Sequence, residues 1–160
     1  MKRLIVLRHA KSSWKDSSLD DHERPLKKRG IRDAPLVARA LRERDWIPDK
    51  VLSSSAVRTC QTWDFMKEEF SDSEIPVEYL ECFYHANPEE VVSEVLALDD
   101  ELSTVMLLGH NPSWESLVTE LSSKYIKLTT CNAVLLQSAS STWKVSGYWV
   151  VDVIRPKALK

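Results

Sequence analysis

The sequence predicts a three-layer α/β/α fold with a central, mainly parallel sheet. Two observations carry the prediction. Short apolar runs, suited to buried strands, alternate with amphipathic segments, and the chain ends in two runs that alternate like an antiparallel hairpin. The composition agrees: 160 residues, 43% hydrophobic and 29% charged, suit one globular domain over 1–160.

The first strand is read at residues 2–8, with the aliphatic run Leu4-Ile5-Val6-Leu7. A polar stretch from Lys11 to about Arg24, with two serine pairs and an Asp pair, has loop composition. Between Lys28 and Arg44, Ile31, Ala34, Val37, Ala38 and Leu41 recur at helical spacing. Pro35 fits that helix best if it begins late, near Asp33, with the proline in its first turn. Val51–Ser54 forms a second strand. A helix over 55–70 follows, with Val57, Cys60, Thr62, Trp63, Phe65 and Met66 on its inner side.

Pro76–Leu80 alternates as a third strand. Asn87-Pro88 then begins a helix to about Leu98, with Asn as N-cap and Pro just inside. Val105-Met106-Leu107-Leu108 marks a strand over Ser103–Gly109, and Asn111-Pro112 opens a helix through Leu121. The closing hairpin is expected at Ala133–Gln137 and Trp143–Val153.

Several function classes are disfavoured at once. A net charge of −2 gives no global reason to expect nucleic acid or an anionic membrane as partner. No apolar run approaches the ~18 residues of a membrane span, and Arg8 and His9 end the first run too early for a signal peptide. A cytoplasmic location is expected. Cys60, Cys82 and Cys131 are scattered and odd in number, as reduced, buried or half-buried thiols would be. His22 and His85 have no ligand spacing with the other histidines and no acidic cluster completes a set, so no metal is expected. Nucleotide-binding loops of the GxxxxGK[ST] and GxGxxG kinds are absent.

Three predicted strands run out into unusual polar residues: Leu7-Arg8-His9, then Ser53-Ser54-Ser55 with Arg58 beyond it, and Leu108-Gly109-His110-Asn111. In open α/β sheets ligands bind beyond the carboxyl ends of the strands. If these strands are neighbours, two arginines and two histidines meet there. Guanidinium forks match phosphate oxygens and stay charged, and neutral imidazole is a competent nucleophile toward phosphorus. Each residue alone has a bland reading, as surface arginine, ion pair or turn histidine. Four such residues at three strand ends favour a phosphate pocket.

At these residues the chain resembles the histidine phosphatase superfamily, of phosphoglycerate-mutase-like fold, and most of all its small SixA-type phosphohistidine phosphatases. The blocks are Leu7-Arg8-His9-Ala10-Lys11-Ser12-Ser13-Trp14, Arg24-Pro25-Leu26 with Arg29-Gly30, Ser53–Thr62, and Leu108-Gly109-His110-Asn111-Pro112. The resemblance implies that His9 is the phosphorylated nucleophile and that Arg8, Arg58 and His110 hold the phosphoryl group, with no metal or organic cofactor. It departs at Ala10, where glycine is common, and at Lys27, where Thr or Ser often caps the next helix. Glu81 stands about where many members carry a proton donor, with an exposed strand-end carboxylate as the equal alternative; Asp16 and Asp20 are weaker candidates.

A phosphohistidine expels imidazole, a better leaving group than an alkoxide, and needs less help from an acid. The short stretch between Arg58 and His110 leaves little chain for a lid, so a shallow, open pocket able to admit a partner's side chain is expected. The substrate expected is therefore a phosphorylated protein bearing phosphohistidine. The alternatives are a small-molecule phosphomonoesterase with Glu81 as acid, or a non-catalytic phosphate-binding module. Trp14 and Trp114 are candidates for the pocket rim, with packing against the core as the more ordinary role.

Overall fold

The computed structural model describes residues 1–159. Six strands form one mixed sheet: β1 Lys2–Arg8, β2 Lys50–Ser54, β3 Val77–Leu80, β4 Thr104–Gly109, β5 Ala133–Ser138 and β6 Trp149–Ile154. Their order across the sheet is β3-β2-β4-β1-β5-β6. β1, β2, β3 and β4 are mutually parallel, whereas β5 runs antiparallel to both β1 and β6. Four α-helices cover the faces: α1 Lys28–Glu43, α2 Val57–Met66, α3 Pro88–Leu96 and α4 Ser113–Ser122.

The apolar runs explain the layering. Leu4, Ile5, Val6 and Leu7 are all buried, because a central strand in a sheet covered on both faces needs apolar side chains on each. Ile5 and Leu7 join Met106, Leu108, Ala34, Val37, Leu41 and Trp63 on the side of α1 and α2. Leu4 and Val6 join Val105, Leu107, Val91, Val95, Leu117 and Val118 on the side of α3 and α4. Successive residues of β1 thus serve opposite cores, as the pleat dictates.

Several expectations need correction. α1 begins at Lys28, with Pro35 in its interior. An interior proline removes one helical hydrogen bond and costs about 3 kcal/mol. Burial of Ala34, Val37, Ala38 and Leu41 on the same helix offsets that cost. Ile31 lies on the exposed side. Lys27 caps nothing with its side chain. The far end is closed by a Schellman arrangement: Asp45 adopts φ 58°, Trp46 N donates to the Leu41 carbonyl and Asp45 N to that of Arg42.

The helix expected over 55–70 is α2 followed by a 3-10 turn, Lys67–Phe70, and its inner residues are Arg58, Thr59, Thr62, Trp63 and Met66. Phe65 is exposed, at the margin of the face that Arg58, Thr59, Thr62, Trp63 and Met66 bury. α3 stops at Leu96, and its Asn87 cap is as expected, the side chain accepting from Glu90 N. α4 starts at Ser113, with Pro112 as its flanking residue. The last strand begins at Trp149 rather than Trp143; Trp143 and Tyr148 are instead buried in the connecting loop, packed into the α3–α4 core.

Trp114 is a core residue. It is wholly buried, lies edge-on to Phe83 at 5.3 Å, and donates from Nε1 to the Leu107 carbonyl at 3.0 Å. Its ring also fills the space where a Cβ on Gly109 would stand, which is why β4 ends in glycine. Trp14 is 72% exposed, its ring stacked under the Arg24 guanidinium at 3.5 Å. No helix among the described residues is long and apolar enough to cross a membrane. Trp114→Ala is expected to cost about 3–5 kcal/mol in denaturant unfolding, and Trp14→Ala less than about 1 kcal/mol. Equal effects would contradict these assignments.

Candidate active site

The strand order makes β2, β4 and β1 neighbours. Their carboxyl ends bring Ser54, His110 and His9 to one edge of the sheet. The register pairs Arg8 with Gly109 across β1 and β4, and His9 N donates to the Gly109 carbonyl at 3.0 Å. The His9 and His110 rings therefore lie 5.2 Å apart.

The backbone through His9 is tied on every side. Cys131 N donates to the carbonyls of Arg8 and His9, at 3.1 and 2.9 Å. Ala10 N donates to Thr62 Oγ1 at 3.0 Å, and that hydroxyl donates to the Arg58 carbonyl at 2.7 Å. His9 is only 6% exposed, and its Nδ1 lies 2.7 Å from the Ala10 carbonyl. A carbonyl only accepts, so Nδ1 carries the proton and Nε2 keeps its lone pair. Burial first, then the charges of Arg58, Arg8 and Arg24, push the His9 imidazolium down to about 3, leaving the ring neutral.

His110 is fixed from the other nitrogen. Its Nε2 lies 2.8 Å from Ser54 Oγ, which already accepts from Ala56 N at 3.2 Å. Ser54 Oγ keeps a second lone pair as well as its proton, so the contact fits either tautomer; with the serine donating to Nε2, His110 carries its own proton on Nδ1. Burial, then His9 and Arg58, push His110 down to about 2, so it too is neutral.

Three buried donors here have no hydrogen-bond partner among the described residues: Arg8 Nε, Arg58 Nε and His110 Nδ1. Buried polar groups are normally satisfied, and these nitrogens, beside a neutral, lone-pair-bearing imidazole, are groups that a bound anion would satisfy; Asn111 Oδ1, an acceptor beside His110, is also unpartnered among the described residues. Arg8 Nη1 is held by the Leu128 carbonyl at 3.1 Å. Arg58, also 6% exposed, is held by Asp21, through its carbonyl at 2.7 Å and its carboxylate at 3.0 Å.

Asp21 is the residue that sequence reasoning missed. It collects Arg58, Arg24 at 3.0 Å and the Tyr84 hydroxyl at 2.6 Å. Burial works against its charge. Hydrogen bonds from Tyr84 and Arg24, with the charge and hydrogen bond of Arg58, outweigh that and hold the carboxyl well below the usual range. The only signal was its place in the Asp pair of a polar loop. Tyr84 lines the open cavity of about 320 Å³ with Arg58, His85, His110, Asn111 and Ser113. Glu81 is exposed at the start of the 3-10 turn Glu81–Phe83; like His9 and Arg8, it is not among the residues lining that cavity. Asp16 caps its own loop through Ser18, and Asp20 is exposed. The three cysteines form no disulfide among the described residues; Cys131 is buried and the others half-buried.

A model of the histidine phosphatase superfamily (branch 1) matches residues 4–87. The chain belongs to that superfamily. An uncharacterised chloroplastic protein of Arabidopsis thaliana is 40% identical over 153 residues, 89% of this chain and 69% of the relative. An uncharacterised protein of Mycobacterium leprae is 33% identical over 150 residues, 92% and 87% of the two chains. Among solved structures, a protein from Agrobacterium tumefaciens assigned as phosphohistidine phosphatase SixA superposes with TM-score 0.84 at 27% identity, covering 97% and 98%. The protein histidine phosphatase SixA complexed with tungstate shares the fold, with TM-score 0.85 at 21% identity over 99% of each chain. The family match and the SixA neighbours support phosphatase activity.

The burial of both rings has a measurable consequence. Their imidazole C2 proton resonances are expected to keep neutral-form shifts at pH 5, and a titration midpoint near 6.5 for either would contradict it. The unfolded chain binds protons at both positions from pH ~6.5 downward, while the folded one binds them only near 2 to 3. Stability should therefore fall as pH drops through that window. His9→Phe should flatten part of the slope in a pH series of denaturant midpoints.

Proposed function

We propose that this protein removes the phosphoryl group from phosphohistidine on a partner protein, through a phosphorylated His9, without a metal ion. The observation that carries the reading is the buried, neutral His9, whose Nδ1 is committed to the Ala10 carbonyl beside three unpartnered donors. In the proposed step the Nε2 lone pair forms a bond to phosphorus as the bond to the substrate imidazole breaks. That imidazole nitrogen keeps the electron pair and takes a solvent proton. Arg8, Arg58 and His110 Nδ1–H receive the charge on the non-bridging oxygens. Water then attacks phospho-His9, releasing inorganic phosphate and restoring the imidazole.

The substrate class rests on what surrounds the cradle. Asp21 is held ionised by its partners, so it is no acid for an alkoxide leaving group. Glu81 is exposed, at the start of its 3-10 turn. The open cavity suits a side chain presented on another protein, and the likeness to the SixA structures supports the same choice. A cytoplasmic location and a single-domain enzyme over 1–160 belong to the same proposal.

Phosphate release from a phosphohistidine protein and a matched phosphoserine protein, assayed side by side, tests it. Release is expected from phosphohistidine, with turnover lowered at least ~10³-fold in His9→Ala and unchanged within about two-fold in Glu81→Gln. Faster release from the ester, lost in Glu81→Gln, would favour a small-molecule phosphomonoesterase instead. Binding without turnover would leave only a phosphate-reading module.

A further inference from the structure

We propose a second anion-binding site, for a multiply charged phosphate group of about pyrophosphate size, beside the phosphoryl cradle. It is the cavity of about 280 Å³ enclosed by the first turns of α1, the segment 129–132 and the 3-10 turn Pro156–Leu159. Arg29, Arg32, Arg155 and Lys157 line it, together with Thr129 and Thr130. This inference concerns residues outside the proposed reaction and does not rest on it.

Charge is the first argument. Four cations face one carboxylate, Asp33, in a chain whose net charge is −2. Asp33 lies 3.7 Å from both Arg29 and Arg32. Each guanidinium has five N–H donors, so one such pairing leaves most of the fork for a ligand. Concentrating like charges in a concave site repels them from one another, and a bound polyanion removes that penalty.

Preorganisation is the second. Arg155 Nη1 donates to the Lys127 carbonyl and to Asn132 Oδ1, and Asn132 is buried and also accepts from Thr129. The guanidinium is therefore held in place before any ligand arrives. The cavity lies at the small end of ligand pockets, ~300–1,000 Å³, which favours a compact anion over a stretch of acidic polypeptide.

Position is the third. Ala133 pairs with Leu7 on one side and Ile154 on the other, so segments 129–132 and 155–157 lie at the sheet end where β1 runs into His9. Lys27 N bonds the Lys11 carbonyl, and Gly30 packs so closely on Lys11 that a Cβ would collide with its backbone. The start of α1 is thereby drawn to the same end. Leu128, next to Thr129, offers the carbonyl that holds both Arg8 and Asn111. The segment 128–132 thus runs from the Arg8 guanidinium to the wall of this cavity.

Calorimetric titration with inorganic pyrophosphate tests the proposal on three proteins: wild type, Arg32→Ser/Lys157→Ser, and His9→Ala/Arg58→Ala. Wild type is expected to show two classes of site. Arg32→Ser/Lys157→Ser should weaken one class at least about ten-fold, with unchanged melting temperature and p-nitrophenyl phosphate turnover, since both side chains are exposed. His9→Ala/Arg58→Ala should keep that class and lose the other; keeping both would count against the phosphoryl cradle alone. Inhibition by pyrophosphate that depends on Arg32 and Lys157 would separate two sources. A raised KM marks the remote end of a substrate, and a lowered kcat marks an independent effector. Identical titrations of wild type and Arg32→Ser/Lys157→Ser, or tighter binding of a hexa-aspartate peptide than of pyrophosphate, would overturn the assignment.

Discussion

The parallel register between β1 and β4 is the constraint on which the rest depends. Pairing Arg8 with Gly109 sets His9 and His110 side by side at the same sheet edge. A slip of one residue would turn every side chain of β1 to the opposite face. It would also break both backbone hydrogen bonds of His9, the one it donates to the Gly109 carbonyl and the one its carbonyl accepts from Cys131 N. The register is secured from below by the continuous apolar run, whose alternate residues serve two separate cores. Gly109 secures it from above, because only a residue without a Cβ leaves room for Trp114 beneath the strand end.

Within that frame the site balances desolvation against charge. Burying two histidines would be costly if they were cationic, and both are kept neutral, each with one nitrogen committed to a fixed partner. The arginines stay charged and are oriented by main-chain carbonyls and by Asp21. Asp21 supplies the local counter-charge that makes a buried Arg58 tolerable, while leaving Arg58 Nε open. Pre-oriented donors of this kind act on developing charge without reorganising.

The fold, and the meeting of Arg8, His9, Arg58 and His110 at one sheet edge, were legible in the sequence because they follow from periodicity and from polar residues at strand ends. Arg8, His9 and His110 stand where an apolar run stops, and Arg58 follows the polar end of the second strand in the next helix. Asp21 and Tyr84 were not legible, since they reach Arg58 from a loop and a 3-10 turn whose paths no periodicity encodes. Pro35 misled the reading of α1, because local propensity was overruled by the core that Ala34, Val37, Ala38 and Leu41 enter. Trp14 and Trp114, alike in their distance from a motif, proved opposite in burial. The motif's Gln61 and Thr62 carried no evident chemistry, yet they hold Leu26 N and Ala10 N in the loops around His9.

The central claim is that the free Nε2 of His9 accepts a phosphoryl group inside this cradle. The most direct measurement is rapid-quench trapping with a labelled phosphohistidine protein, followed by mapping of the label on the enzyme. The account predicts an acid-labile, alkali-stable label on the peptide holding His9, attached at Nε2, absent from His9→Ala and turning over within the catalytic cycle. Label on another residue, or steady phosphate release with no label on His9, would contradict it.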